Sequence, residues 1–334
     1  MSGEFSLPGW IGLHLLIACI GTWFARRYAL HRRLLDHPGD RRSHQVATPR
    51  GGGVAIVIAV SVALGWLIIR APASLPFFGA AAIGLLLVAG VGWIDDHRPL
   101  SAGSRLFVHG VAAAILAYGV LAQGGSASLA VVAFCAALVL VNVWNFMDGI
   151  DGLAASQAAL VALGYAAYSM PGTLAWLALA LAAACAGFLP FNLPRARIFL
   201  GDVGSGALGF AVAILLVGLA GQRGNALPVL LLPLSAFLID ATLTLTMRML
   251  RGERWWQAHV QHAYQQWAQR TGRHGVVTTA YAGWTLAAVA IMLLTGTASL
   301  AMISAIVVAW YAVGSIAWLR LRQDYRRIAR RGRE

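Results

Sequence analysis

SLAVVAFCAALVLVNVWNFMDGIDGLAASQ, residues 128–157, carries no charge from 128 to 147 and then sets Asp148 and Asp151 three apart, each followed by glycine. A membrane span needs about 20 mostly apolar residues. Residues 128–147 therefore read as a transmembrane helix, and the two aspartates stand where it leaves the bilayer. Composition extends that reading to the whole chain. Hydrophobic residues make up 59% of it and charged residues 11%, against about 25% charged in a typical soluble domain. Eleven apolar segments can be laid along the sequence, at about 9–25, 51–70, 77–94, 106–122, 128–147, 153–170, 174–190, 203–220, 228–248, 280–297 and 299–319. The fold expected is all-α and polytopic, a single multi-span domain over 1–334 with a basic tail at 320–334.

Charge order gives the orientation. Glu4 precedes the first segment and Arg26 and Arg27 follow it, the reverse of a secretory signal peptide, so the N-terminus is expected outside. Short cytosolic loops accumulate basic residues. On this topology every arginine except Arg70 and Arg223 lies in a cytosolic loop or at its helix ends. An odd number of spans then leaves the tail in the cytosol, where its seven arginines can lie against anionic headgroups. The tail accounts for much of the +13 net charge. No aromatic interleaving accompanies it, so nucleic-acid binding is not expected. Cys19, Cys135 and Cys185 fall in separate apolar segments without metal-ligand spacing and read as core residues.

The acids gather on one side. Asp95 and Asp96 end the third span, Asp148 and Asp151 the fifth, and Asp202 opens the eighth in GDVGSG. A charge at the bilayer centre costs about 2.5–3.5 kcal/mol even on a mild scale, so acids at helix ends alone could be solvated loop residues. Together they occupy motifs with neighbouring amides and glycines, which solvation does not ask for. Asn142, Asn145, Asp148 and Asp151 recur every three residues and are expected on one helix face. Aligned oxygens suit a hard cation, and Mg²⁺ usually takes only one or two protein carboxylates. Asp202 is the candidate ligand, at a helix start whose free N–H groups also favour phosphate.

The opposite charge comes from two places. Trp256, Val260, Ala263 and Trp267 form an apolar stripe at helical spacing, which predicts an amphipathic interfacial helix with His259 and His262 facing together beside it. The residues between the histidines are Val260 and Gln261, not the Glu of a zinc protease. Co-facing histidines can donate to phosphate oxygens. Arg41, Arg42, His44 and Arg50 precede the second span, where a lipid phosphate would arrive from the bilayer. Plain positive-inside charge is the alternative reading for Arg41 and Arg42.

HQVATPRGGG, WIDDHRPLSAGSRL, NVWNFMDGIDGLAASQ, FNLPRARIFLGDVGSGALG, LSAFLIDATLTLTMRML and HVQHAYQ occur in that order. Over nearly its whole length the chain resembles the polyprenyl-phosphate N-acetylhexosamine-1-phosphate transferases. The resemblance implies a reaction between a UDP-N-acetylhexosamine and undecaprenyl phosphate with Mg²⁺ (Mn²⁺ as alternative), in the bacterial cytoplasmic membrane, with the lipid bilayer as surroundings and a homodimer as a candidate assembly. It implies Asp202 as the principal metal ligand. It gives Asp95 to the lipid phosphate, as base or orienter and as a second candidate ligand, with Asp96 beside it. Asp148, Asp151 and Asn145 would line the nucleotide and metal site, and Asn192 and Phe199 would contact uracil. His259 and His262 would face the diphosphate, Arg105 and Arg50 the substrates, and Asp240 would be structural.

Departures narrow the branch. The histidine motif is HVQH rather than HxHH, and Arg98 and Arg105 replace a lysine-rich stretch after the paired aspartates. The branch expected starts O-antigen-like surface glycans rather than transferring a muramoyl pentapeptide. A transporter would want carboxylates near the midplane, where only Asp240 approaches that depth.

Overall fold

The structure is a computed structural model that describes residues 6–36, 46–193, 195–224, 226–254, 257 and 259–331. His44, Arg41, Arg42 and Trp256 lie outside the described residues. The helices, in chain order, are α1 (Leu7–His31), α2 (Val54–Arg70), α3 (Leu75–His97), α4 (Ala102–Ala122), α5 (Ala127–Met147), α6 (Leu153–Ser169) and α7 (Thr173–Asn192). After them come α8 (Asp202–Gln222), α9 (Leu227–Leu230), α10 (Ser235–Leu250), α11 (Ala263–Thr271), α12 (His274–Thr295) and α13 (Leu300–Arg331). The only strands among the described residues are Leu35–Asp36 and Thr48–Pro49, paired antiparallel.

Each of the eleven apolar segments coincides with helix. Among the described residues nine helical stretches are long and apolar enough to cross a membrane by length and composition. The remaining two, α2 and α6, have 17 residues each. The stretch Leu227–Leu250 is broken: α9 ends after one turn and a 3-10 turn, Leu232–Leu234, precedes α10. Pro233 lies in that turn and has no N–H to continue the ladder. The last span runs on as α13 to Arg331, so the expected tail continues the helix.

Packing follows from where charge is missing. After Asp202, α8 holds no ionisable residue, and Val203–Val217 are all buried. A helix apolar on every side must be buried, so α8 sits at the centre against α3, α5 and α6. Leu16 and Phe24 of α1, Phe107 and Tyr118 of α4, Leu294 of α12 and Val308 of α13 are exposed. In lipid such exposure costs nothing, because the tails are as apolar as the side chains.

Small residues let the site-bearing ends approach. The N–H groups of Gly52 and Gly53 donate to the carbonyls of Phe199 and Leu200 at 2.9 and 2.8 Å. This seats the start of α2 on the start of α8. A Cβ on Gly53 would fall 2.2 Å from the Gly204 Cα, and backbone cannot yield as a flexible side chain can. Gly53→Ala is expected to cost about 1–3 kcal/mol, read as a lower melting temperature in detergent. An unchanged melting curve would show that the two segments can part.

Candidate active site

The start of α8 is held from another helix. Gly201 lies at φ +76° and offers no side chain to cap. Asp96, in the last turn of α3, fills that role: its two carboxylate oxygens accept from the N–H groups of Asp202 and Val203, each at 3.1 Å. A Cβ on Gly201 would meet the Asp96 Oδ2 at 2.5 Å. Arg50 locks the cap, its Nη2 donating to the Asp96 carbonyl and its Nε 3.7 Å from Oδ1. Two expectations change here. The first N–H groups of α8 are not free for phosphate, and both Asp96 oxygens are committed to positioning.

Asp202 is thereby fixed at the head of α8. Its Oδ1 accepts from Asn145 Nδ2, which also donates to Ser205 Oγ at 3.0 Å. Its Oδ2 lies 3.8 Å from Arg105 Nη1. The same Arg105 nitrogen donates to Asp95 Oδ2 at 2.9 Å, and Asp95 Oδ1 accepts from the Leu100 N–H at 2.5 Å. Arg105 Nη1 thus bridges the Asp95 and Asp202 carboxylates. Asp148 faces them from the C-cap of α5. Burial, then the charges of Asp202 and Asp96, push its carboxyl up to about 8. Among the described residues no three acidic, histidine or cysteine side chains close on one point as a metal cage. What converges is a pair of carboxylates with a third nearby and, among the described residues, Arg105 as the one cation in contact with the pair, a donor set short of positive charge that suits a cation needing few protein ligands.

Two cavities meet at this cluster. One, about 530 Å³, is walled by Arg105, His109, Asn142, Phe146, His259 and His262. The other, about 250 Å³, is walled by Arg50, Asp96, Asn192, Phe199 and Ser205. Asn145, Asp148, Gly149, Asp202 and Gln265 line both. A third cavity, also about 530 Å³, lies among α10, α11, α12 and α13. Among the described residues Asp240 is the only acid in its wall, and it lines neither cavity of the cluster.

The expected polar ladder does not survive past α5. That helix stops at Met147 and the chain turns through Gly152 at φ +72°, which rotates Asp151 out of register. Asp151 lines neither site cavity. Its Oδ1 lies 3.3 Å from His274 Nδ1 and its Oδ2 accepts from the Ala196 N–H at 3.2 Å. Asn192 is likewise spent: Oδ1 accepts from the Gly152 N–H at 2.8 Å and Nδ2 donates to the Ile198 carbonyl at 2.9 Å. Phe199 lines the smaller cavity, its N–H tied to the Pro49 carbonyl at 2.8 Å.

The histidines arrive differently from the expected helix. Among the described residues between α10 and α12 only Ala263–Thr271 is helical, and His262 is its extended N-cap, boxed with Gln265. Val260 and His259 lie before the helix, so Val260 does not share a helical face with Ala263 and Trp267. The rings of His259 and His262 still stack, with centroids 4.9 Å apart. Burial first, then His262, Arg248 and Arg322, draw His259 down to about 3, so it enters neutral reactions as a donor through one ring N–H only. The organiser is Asp240. Its oxygens accept from the N–H groups of Ala263 and Tyr264 at 2.9 and 3.0 Å, from Tyr281 at 2.8 Å, and from Thr244 and Trp318 at 3.1 Å. His262 Nδ1 stands 3.6 Å from Asp240, too far for a hydrogen bond.

Gln265, Ser205, Tyr264 and His109 were not read from the sequence as site residues. Gln265 stands three after His262, the spacing of a capping box, and His109 stands four after Arg105, on the same helix face. Tyr264 had no such signal; its hydroxyl donates to the Phe146 carbonyl at 2.9 Å and closes the loop against α5.

The sequence signature of glycosyl transferase family 4 matches residues 78–220. A decaprenyl-phosphate N-acetylglucosaminephosphotransferase of Mycobacterium tuberculosis is 33% identical over 234 residues, covering 59% of this chain and 57% of that protein. A phospho-N-acetylmuramoyl-pentapeptide-transferase of Heliobacterium modesticaldum is 34% identical over 226 residues, 59% of this chain and 69% of that protein. A probable undecaprenyl-phosphate N-acetylglucosaminyl 1-phosphate transferase of Bacillus subtilis is 29% identical over 255 residues, 71% of this chain and 70% of that protein. The match thus takes in little more than half the length of the mycobacterial relative.

Proposed function

The chain belongs to glycosyl transferase family 4, and on that premise we propose that it transfers an N-acetylhexosamine 1-phosphate from a UDP-sugar to undecaprenyl phosphate. One observation carries the reading: the carboxyl groups of Asp148 and Asp202 line both of two adjoining cavities at one end of a membrane bundle, with Asp95 joined to Asp202 through Arg105. Two substrates, one soluble and one lipid, need such a meeting point. On the topology expected from the arginines it faces the cytosol of a bacterial cytoplasmic membrane, and the product would start a surface glycan.

The smaller cavity suits the nucleotide, with the Phe199 ring offered to uracil and Arg50 beside it. The larger suits the acceptor. An oxygen of the lipid phosphate forms a bond to the β-phosphorus, the bond from that phosphorus to the bridging oxygen breaks, and UMP leaves with the electron pair. A phosphate monoester with a second pKa of about 6 is already mostly dianionic at neutral pH, so direct displacement asks the protein chiefly for position and charge balance. Mg²⁺, when held by Asp202, would neutralise the diphosphate, with Asp95 fixing Arg105 beside it rather than serving as the second ligand expected from the sequence. Arg105 adds fixed positive charge, and His259 and His262 offer N–H donors from the loop above.

Asp95 is already occupied on both oxygens, by Leu100 and Arg105, which favours holding Arg105 over abstracting a proton. Asp95→Asn is therefore expected to lose activity equally at pH 6.5 and pH 8.5. Recovery at the higher pH, where the lipid phosphate needs no base, would return Asp95 to the base role.

The reading is tested with purified protein, UDP-N-acetylglucosamine, undecaprenyl phosphate and Mg²⁺, scored for UMP release that requires the lipid. Absence of release with every UDP-N-acetylhexosamine would overturn it. The Heliobacterium relative carries a second reading, a muramoyl-pentapeptide donor, which release from UDP-N-acetylmuramoyl-pentapeptide alone would favour.

A further inference from the structure

His109 is a polar group that neither the motifs nor the carboxylate cluster uses. It lies in α4, four residues after Arg105 and so one turn deeper toward the bilayer on the same face. It lines the 530 Å³ cavity together with Arg105 and Asp202. Its Nδ1 is buried and has no hydrogen-bond partner among the described residues. Across the cavity stands Asn142 of α5, one turn before Asn145. Polar groups placed inside a membrane helix and facing the bundle interior carry a cost that a ligand can offset.

The same cavity opens beside an exposed apolar flank. Leu106 lines it and is 42% exposed, and the adjoining Phe107, on the outer flank of α4, is 72% exposed. The residues that line it therefore run from the flank of α4 past His109 to Arg105 and the Asp202 carboxylate. A soluble nucleotide has no use for such a path, whereas a lipid with a phosphate head does.

Resting on the transferase reading, we propose that this cavity admits the long-chain lipid phosphate sideways from the bilayer, and that His109 binds it by donating a ring N–H to a phosphate oxygen. The chain leaves past Leu106 while the head lies under Arg105. His109 is thus an acceptor-binding residue, and the nucleotide keeps to the Phe199 side.

The test measures binding apart from turnover. Undecaprenyl phosphate is titrated onto the purified full-length protein without any UDP-sugar, followed by native mass spectrometry, for wild type, His109→Leu and His109→Gln. Losing one hydrogen bond to a charged group is expected to weaken acceptor binding roughly tenfold in His109→Leu, with most of it restored in His109→Gln, which keeps an N–H donor. In turnover, KM for the lipid should rise and KM for the UDP-sugar stay. A photoreactive benzoylphenylalanine at Leu106 should crosslink the prenyl chain, and this readout leaves His109 intact. Wild-type affinity in His109→Leu, a KM change confined to the UDP-sugar, or no crosslink at Leu106 would overturn the proposal. Binding that depends on His109 in a protein that releases no UMP would leave the acceptor site standing and overturn the transferase reading instead.

Discussion

Asp202→Asn should cut turnover by roughly 10²–10³-fold or more, with membrane insertion and melting temperature close to wild type. The structure separates the two effects. The backbone of Asp202 is held by Asp96, and that cap does not involve the Asp202 side chain. The side chain lines both cavities, where Asn145 and Arg105 converge on it. Asparagine keeps an oxygen to accept from Asn145, so packing survives. It removes the charge a divalent cation would bind and leaves Arg105 balanced by Asp95 alone. Excess Mg²⁺ should not restore the rate, because a missing ligand charge is not a matter of occupancy alone. Wild-type turnover of Asp202→Asn at saturating Mg²⁺ would remove Asp202 from the site's chemistry.

What the sequence could and could not reveal follows from how each signal is encoded. Hydropathy reports whether a segment can live in lipid, so the eleven apolar segments were legible, and alternation of direction placed Asp95, Asp96, Asp148 and Asp202 at one end. Periodicity holds only within a helix. The three-residue ladder was extrapolated beyond Met147, where α5 ends, and so misplaced Asp151. The histidine stripe failed for a related reason: α11 begins only after His262, because Asp240, more than twenty residues earlier, takes its first N–H groups. Capping by a distant carboxylate leaves no local trace. The Asp96 cap on α8 is the same device, and it turned an apparent phosphate-binding helix start into a closed one. Both hidden caps use aspartates that the sequence marks only as conspicuous acids.

The second large effect is expected at Asp240, which touches neither site cavity. Its carboxylate accepts five hydrogen bonds, two from the start of α11 and three from side chains of α10, α12 and α13. A buried carboxylate surrounded by donors is stable only while it can accept from all of them. Asn at this position keeps one oxygen and turns an NH₂ group toward donors, so one half of the array faces repulsion. Breaking a buried charged network of this kind costs about 3–5 kcal/mol, which corresponds to a melting temperature lower by roughly 5–10 °C. Global destabilisation alone would spare activity well below that temperature. Here activity should also fall there, because the released N–H groups belong to Ala263 and Tyr264, next to His262. Amide exchange at Ala263 and Tyr264 should accelerate before the core of α8 shows any change. If Asp240→Asn melts early yet keeps wild-type turnover in the cold, Asp240 supports the bundle but does not position the histidines.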